Sequence, residues 1–433
     1  MIEPPPVSGQ VAVVLSGGGA RGAYEAGVLH YVRSALPQPQ RSQRFDLICG
    51  SSVGALNATF LAATADQPLE QGRLLCALWN RIQQDRIFRR NWLAVGRFLL
   101  QISAGLLSNF LRLDPGHRRL QQRSRFVSLF DTSPMPEYLA SLIAMPKIRA
   151  NLEAGHLDAL AITATNLSTD QPELFLQRRP GIDYSGDFLA HDVQLGIEHL
   201  LASAAIPFAF PPVKLDGTYY CDGGVRLNTP MSPAIQLGAE RILAIGTHAA
   251  QEKRLPPPEG FDEYPSPGRL IAAVTEAIFS DKVRSDLDQL QRINRIIEWA
   301  QTVCSPDFLA HLNRHILERG EKGDLAGRGL KKLEALLIRP SQDVGQIFQQ
   351  QLQRNPYLDP SFSPFERFIL RLFALDPREA RELLSYLMFA PRYIQALIEL
   401  GYRDARSHHA ELVALFSGGS LPSAFLQLRP AAA

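Results

Sequence analysis

The sequence predicts an α/β fold in which a mostly parallel central sheet lies between helices and a largely helical region follows. Three observations carry this expectation. VAVVL at 11–15 is an unbroken apolar run, as a strand buried on both faces requires. A glycine-rich loop, SGGGARG at 16–22, leads from it into a helical stretch, AYEAGVLHYV at 23–32. The same order of strand, glycine turn and helix then recurs, and strands that alternate with helices build parallel sheets covered on both faces.

The recurrence begins with FDLIC at 45–49, a short apolar strand, and continues through GSSVG at 50–54 into VGALNATFLAA at 53–63, whose small residues suit a helix. Gly50-Ser51-Ser52-Val53-Gly54 fits G-x-S-x-G with Ser52 at the centre. In that pattern a strand turns sharply into a helix and lifts a serine hydroxyl clear of the sheet, with glycines allowing the backbones to approach closely. The bland alternative is a helix start capped by a serine. Further strands are expected at 158–165 and 241–246, with a helix over 195–205 halted by Pro207. After five prolines in 251–268 the periodicity is helical over 283–299 and 381–400, and ALLIRP up to 340 suggests one more strand. This divides the chain into a catalytic unit at 10–250, a proline-rich linker at 251–268 and a mainly helical extension at 269–433.

Composition bounds the rest. With 433 residues, 45% hydrophobic and 20% charged, the chain is an ordinary globular one, too long for a single small core. Four widely spaced cysteines form neither a disulfide framework nor a CxxC pair, which points to a reducing compartment. Cys49 and Cys221 read as small buried thiols. The start, MIEPPPVSGQ, is unlike a secretory signal, and the apolar stretch from Trp92 to Leu113 is interrupted by polar residues and makes a poor membrane span. A cytoplasmic protein, or one peripheral to the inner membrane face, is expected. The net charge is +2, yet ten basic residues between Arg81 and Arg125 face two acidic ones, Asp85 and Asp114. Trp92–Leu113 also has the spacing of an amphipathic helix. One reading is a helix packed over the sheet, and the other is contact with an anionic membrane through the Arg81–Arg125 region. No nucleic-acid partner is expected.

A nucleophilic serine needs a base. None of the ten histidines sits in a glycine-bounded loop at a predicted strand end, but one carboxylate does. In YYCDGGVR at 219–226, Asp222 follows a short aromatic strand and precedes Gly223 and Gly224, so its side chain would be presented at a strand end. Alone it would be a solvated turn residue. The oxyanion formed by serine attack needs donors, and Gly17, Gly18 and Gly19, between a strand and a helix start, would offer backbone N–H groups and the positive end of a helix dipole. Arg21 is read as a support for that loop, ahead of a direct contact with a phosphate head group. Gly17-x-Gly19-x-x-Gly22 also fits the dinucleotide fingerprint, but the acidic residue near the right distance, Asp46, precedes the second strand instead of ending it. No Gly-Lys-Ser/Thr follows, so a P-loop is excluded.

Together these pieces resemble the patatin-like phospholipase family. The glycine loop matches as Gly17 to Gly22, the nucleophile motif as Gly50 to Gly54 and the acidic motif as Asp222-Gly223-Gly224. LASAAIPFAFP at 201–211 and NTP at 228–230 look similar too. The resemblance spans roughly residues 10–250 and implies a three-layer α/β/α hydrolase. It implies that Ser52 is the nucleophile and Asp222 the proton acceptor. Gly17, Gly18 and Gly19 form the oxyanion hole, with Arg21, Gly22, Gly50, Gly54, Gly223 and Gly224 in support. The implied activity is hydrolysis of ester lipids or phospholipids through an acyl-enzyme, with no metal or organic cofactor. Acyl transfer or thioester cleavage on the same dyad, or lipid binding without catalysis, are the other classes open to such a chain.

Overall fold

The computed structural model describes residues 9–90, 128–249, 283–319, 330–351, 384–419 and 421. Five strands form the parallel heart of the sheet: β1 (Val11–Leu15), β2 (Leu47–Ser51), β5 (Ala159–Asn166), β10 (Arg241–Ile245) and β11 (Glu334–Ile338). They lie in the order β11-β10-β1-β2-β5. Beyond β5 the sheet turns mixed. Strand β6 (Pro172–Arg178) is antiparallel to β5, β7 (Leu189–Asp192) is parallel to β6, and the hairpin of β8 (Val213–Leu215) and β9 (Thr218–Asp222) also joins β5. A separate two-residue ladder pairs β3 (Arg89–Arg90) with β4 (Phe130–Asp131).

The unbroken apolar runs are explained by burial on both faces. Successive side chains of a strand point to opposite sides. Val11, Val13 and Leu15 therefore join one core with Ile48, Ile162 and Leu243. Ala12 and Val14 join a second core with Leu47, Cys49, Ala161 and Ile242. Helices Ala23–Ala35, Val53–Ala63, Pro391–Ser407 and His409–Ser417 cover the first face, and helices Met231–Leu237 and Val283–Val303 the second. The result is the expected three-layer α/β/α arrangement with a mostly parallel sheet.

Three details differ from the expectation. Strand β2 starts at Leu47 instead of residue 45, because the Asp46 carboxylate accepts the Val11 amide at 2.7 Å and closes the end of the ladder. The helix expected over 381–400 is broken after helical residues 384–387 and resumes at Pro391, whose missing N–H suits a first helical position. Strands β6, β7 and β8 were not foreseen; they are short or alternate only weakly. The expected linker at 251–268 and the amphipathic stretch Trp92–Leu113 lie outside the described residues. Further along the chain, β11 extends the central sheet, and helix Pro391–Ser407 packs on helix Ala23–Ala35, where the Tyr24 hydroxyl donates to Asp404 Oδ2 at 3.0 Å. Among the described residues no helix is long and apolar enough to cross a membrane.

Candidate active site

Strand β2 ends at Ser51, and helix Val53–Ala63 begins two residues later. Ser52 makes the whole turn, at φ 53° and ψ −123°. A non-glycine residue in that region is strained by about 1–3 kcal/mol, and surrounding structure must hold it there. Two contacts do so. A Cβ on Gly50 would fall 2.3 Å from the Gly54 carbonyl oxygen, so the strand and helix backbones close on each other. The Ser52 N–H donates to the buried Ser203 hydroxyl at 2.9 Å. Of the adjacent serines, Ser52 alone reaches a carboxylate; Ser51 Oγ is buried with no hydrogen-bond partner among the described residues.

That carboxylate is Asp222, the last residue of β9. Its backbone is fixed by Ala205, whose carbonyl accepts its N–H at 2.9 Å, and by Thr165 Oγ1, which donates to its carbonyl at 2.9 Å. The Ser52 hydroxyl donates to Oδ2 at 2.6 Å and the Gly224 N–H to Oδ1 at 2.7 Å. Gly223 crosses close to β5, where a Cβ would stand 2.4 Å from the Thr163 carbonyl oxygen. Asp222 is fully buried, and loss of water pushes its pKa up from 3.8 to about 7 against the opposing pull of the Ser52 and Gly224 hydrogen bonds.

The glycine loop lies beside this pair, with one correction to the expected donor set. Gly17 N–H donates to the Asn228 carbonyl at 3.1 Å and is therefore committed to the fold. Gly18 and Gly19 keep amide groups with no hydrogen-bond partner among the described residues. Gly19 sits at φ 56°, and a Cβ there would meet the Tyr386 carbonyl oxygen at 2.1 Å. Gly22 is pressed against Val53 and Trp79, so it too supports the elbow.

Arg21 ties the loop to a region the sequence did not connect to the site. Its guanidinium donates to Ser385 Oγ at 3.0 and 2.5 Å and to the Tyr386 hydroxyl at 3.1 Å, and it stacks 3.8 Å from the centre of the Tyr386 ring. Tyr386 Oη is in turn 2.6 Å from His248 Nε2, and Thr247 Oγ1 donates to the Gly17 carbonyl at 2.6 Å. Burial and the Arg21 charge hold His248 well below its usual pKa, so it is neutral. The consistent proton arrangement passes from Arg21 through Tyr386 and His248 to Thr247 and back to Gly17. His248 thus serves the loop and does not contact Ser52.

An apolar pocket with about 670 Å³ of empty space, partly open to solvent, begins at Ser52 and Gly19. Leu56, Ile82, Leu139, Leu200, Phe210 and Leu387 line much of it. Such a cavity suits a hydrocarbon chain. Cys49 and Cys221 are buried and their thiols are raised to about 12, chiefly by desolvation, in keeping with inert packing residues.

Sequence reasoning missed Ser203, Tyr386 and the pocket wall. Ser203 left a faint signal, a single hydroxyl within the small apolar run LLASAAI at 200–206. Tyr386 left none, because its partner Arg21 lies 365 positions away.

A bacterial relative described as a cGAMP-activated phospholipase, from Pseudomonas aeruginosa (strain BWHPSA011 / Pa011), is 29% identical over 250 residues, 54% of this chain and 61% of its own. The uncharacterized protein YjjU of Escherichia coli (strain K12) is 26% identical over 247 residues, 56% of this chain and 53% of its own. Less than two thirds of either relative is thus spanned. Among solved structures, human GIVD cytosolic phospholipase A2 aligns at a TM-score of 0.42 with 10% identity, over 94% of this chain and 60% of its own. VipD from Legionella pneumophila aligns at 0.35 with 16% identity, over 93% and 67%. The family model described as patatin-like phospholipase matches residues 13–235, just over half of the chain, with Ser52 and Asp222 inside the match. The chain belongs to the patatin-like phospholipase family.

Proposed function

We propose that this protein is a serine lipid acyl hydrolase that cleaves fatty acyl esters, phospholipids among them, with Ser52 and Asp222 as a dyad. The observation that carries the reading is the 2.6 Å hydrogen bond from Ser52 Oγ to Asp222 Oδ2 at the wall of an apolar pocket. With its acyl chain in that pocket, a substrate would present its ester carbonyl to Ser52. Oγ forms a bond to the carbonyl carbon as its proton passes to Asp222 Oδ2. The oxygen that gains charge would face the Gly18 and Gly19 amides, which have no hydrogen-bond partner among the described residues, each such donor being worth on the order of a hundredfold or more in rate. Collapse breaks the bond to the leaving alcohol, which takes the proton from Asp222 and leaves the acyl group on Ser52. Water then gives a proton to Asp222 and attacks the acyl carbon. The fatty acid departs, and the proton returns to Ser52.

The test is labelling with a fluorophosphonate, which modifies activated serines, followed by peptide mapping of wild type and Asp222→Asn. The expected result is an adduct on Ser52 in wild type that is sharply reduced in the variant. Labelling at another residue, or none on the folded protein with or without phospholipid vesicles, would overturn the reading.

A further inference from the structure

One large apolar side chain near the site is neither buried nor at ease. Phe208 is 59% exposed and sits at φ 66°, a region that glycine adopts freely and a bulky residue does not. It stands at the tip of a turn that the Phe210 N–H closes onto the Ile206 carbonyl at 2.8 Å. Ile206 and Phe210 both line the acyl pocket, so the tip projects outward from the pocket's own wall. A strained backbone that leaves most of an aromatic ring exposed costs stability, and such outliers gather at functional positions.

The surroundings specify what the ring would meet. The Leu129 and Phe130 amides donate to the carbonyls of Phe208 and Ala209, both at 3.0 Å, and Phe130 pairs in register with Arg90. Phe208 therefore lies within about 10 Å, two strand spacings, of the β3 backbone. The segment that carries β3 holds Arg81, Arg86 and Arg89, all exposed, interleaved with Ile82 and Ile87, which face the pocket. Asp85 and Asp131 are the acidic residues in the same stretches. Beneath this edge Phe88, Phe130 and Phe210 form a rigid aromatic cluster with ring centres 4.5 to 6.3 Å apart. An outward aromatic ring on a stiff base, flanked by arginines and continuous with an acyl pocket, has the chemistry of a wedge for an anionic lipid surface: the ring enters the acyl region while the arginines remain among the head groups.

We propose that Phe208 is an interfacial anchor that inserts into an anionic lipid surface and seats the pocket mouth against it. The proposal deepens the hydrolase reading by naming where the substrate is met, and it rests on that reading for the pocket's role.

The full-length chain is tested as Phe208→Gly, which suits the turn and should fold at least as well as wild type. Cosedimentation is measured with vesicles of phosphatidylcholine, alone and mixed with phosphatidylglycerol, beside hydrolysis of a soluble short-chain ester and fluorophosphonate labelling. The expected result is a loss of about tenfold or more in vesicle binding, with soluble-ester hydrolysis and labelling unchanged. Phe208→Trp should keep binding and show a vesicle-dependent blue shift in emission. Arg86→Glu combined with Arg89→Glu should weaken binding only to the anionic mixture. Wild-type binding by Phe208→Gly, an unshifted Trp spectrum or no wild-type affinity for either vesicle would overturn the anchor. Vesicle binding that ignores the two arginine changes would overturn its anionic preference. Failure of the hydrolase reading would appear separately, as absent labelling of Ser52 in wild type, while cosedimentation would still judge Phe208.

Discussion

Ser51 and Asp222 are successive occupants of one edge of strand β5: Ser51 stands opposite Thr163, and Asp222 stands opposite the next residue, Ala164. Strand β2 runs parallel to β5 and stops there, and β9 arrives antiparallel from the other direction to take over the same edge. Ser52, one step past Ser51, and Asp222 are thereby brought within hydrogen-bond reach although 170 positions separate them. A register fixed by backbone pairing on a buried strand positions the dyad more firmly than a loop would.

The first prediction concerns the pH dependence of activity. Asp222 accepts a proton only as a carboxylate, and burial has raised its pKa to about 7. The rate constant kcat/KM on a soluble ester should rise with pH and level off above a midpoint near that value. Asp222→Asn should lower the rate by roughly 10²- to 10⁴-fold and abolish this limb. A midpoint at the ordinary carboxylate value would show that the dyad is better hydrated than its burial implies.

The same burial has a cost in stability. A carboxyl whose folded pKa lies above its unfolded value holds its proton in the fold after the unfolded chain has lost it. Its contribution therefore falls as pH rises from about 4 to about 7 and is constant beyond. Every tenfold difference in proton affinity between the folded and unfolded chain corresponds to about 1.4 kcal/mol. Asp222→Asn should thus have a higher Tm than wild type at pH values above the folded pKa, with the difference shrinking as pH falls towards the unfolded value. Thermal unfolding across that window checks it, and a constant difference would contradict it.

Ser203 is expected to act on the chemistry by holding Ser52. Ser203→Ala removes the acceptor of the Ser52 N–H and leaves a buried donor unpaired, which costs about 1–3 kcal/mol. The elbow would relax and Ser52 Oγ would drift from Asp222, so kcat on a soluble ester should fall, by up to roughly 10²-fold, more than KM changes. Ser203→Thr should restore part of the loss. A variant that is merely less stable, with wild-type kcat at low temperature, would remove Ser203 from the positioning of the nucleophile.

Gly19 reports on the coupling between the two ends of the chain. Gly19→Ala forces a side chain to φ 56° and towards the Tyr386 carbonyl, a backbone atom that cannot swing aside. Either the loop or the 384–387 segment must move, and labelling of Ser52 should fall by roughly 10²-fold or more. Gly217→Ala is the control: its φ is 89°, but nothing lies within 4 Å of the added carbon. It should show the backbone strain alone, lowering Tm with labelling intact.

How much of this was legible before folding follows from the range of each interaction. The parallel strands were readable because burial on both faces leaves an unbroken apolar run, and VAVVL needs no partner to be recognised. Ser52 and Asp222 were readable because each is framed by glycines that a local close approach demands: Gly50 against Gly54, and Gly223 against β5. The loss of Gly17 as an oxyanion donor was not readable, since it depends on which carbonyl folding brings to its amide. Nor were Ser203, Tyr386 and the Arg21–His248 chain, whose members come from four distant stretches and carry no local signature. The sequence by itself determined the layered α/β plan and marked Ser52 and Asp222 as candidates, because periodicity and glycine spacing are properties of neighbouring residues. Only the tertiary structure decided that the Gly17 amide is committed within the fold, what holds Ser52 in its strained turn and where the C-terminal segment closes the pocket. Each of those depends on a register or a packing contact between residues that the chain keeps far apart.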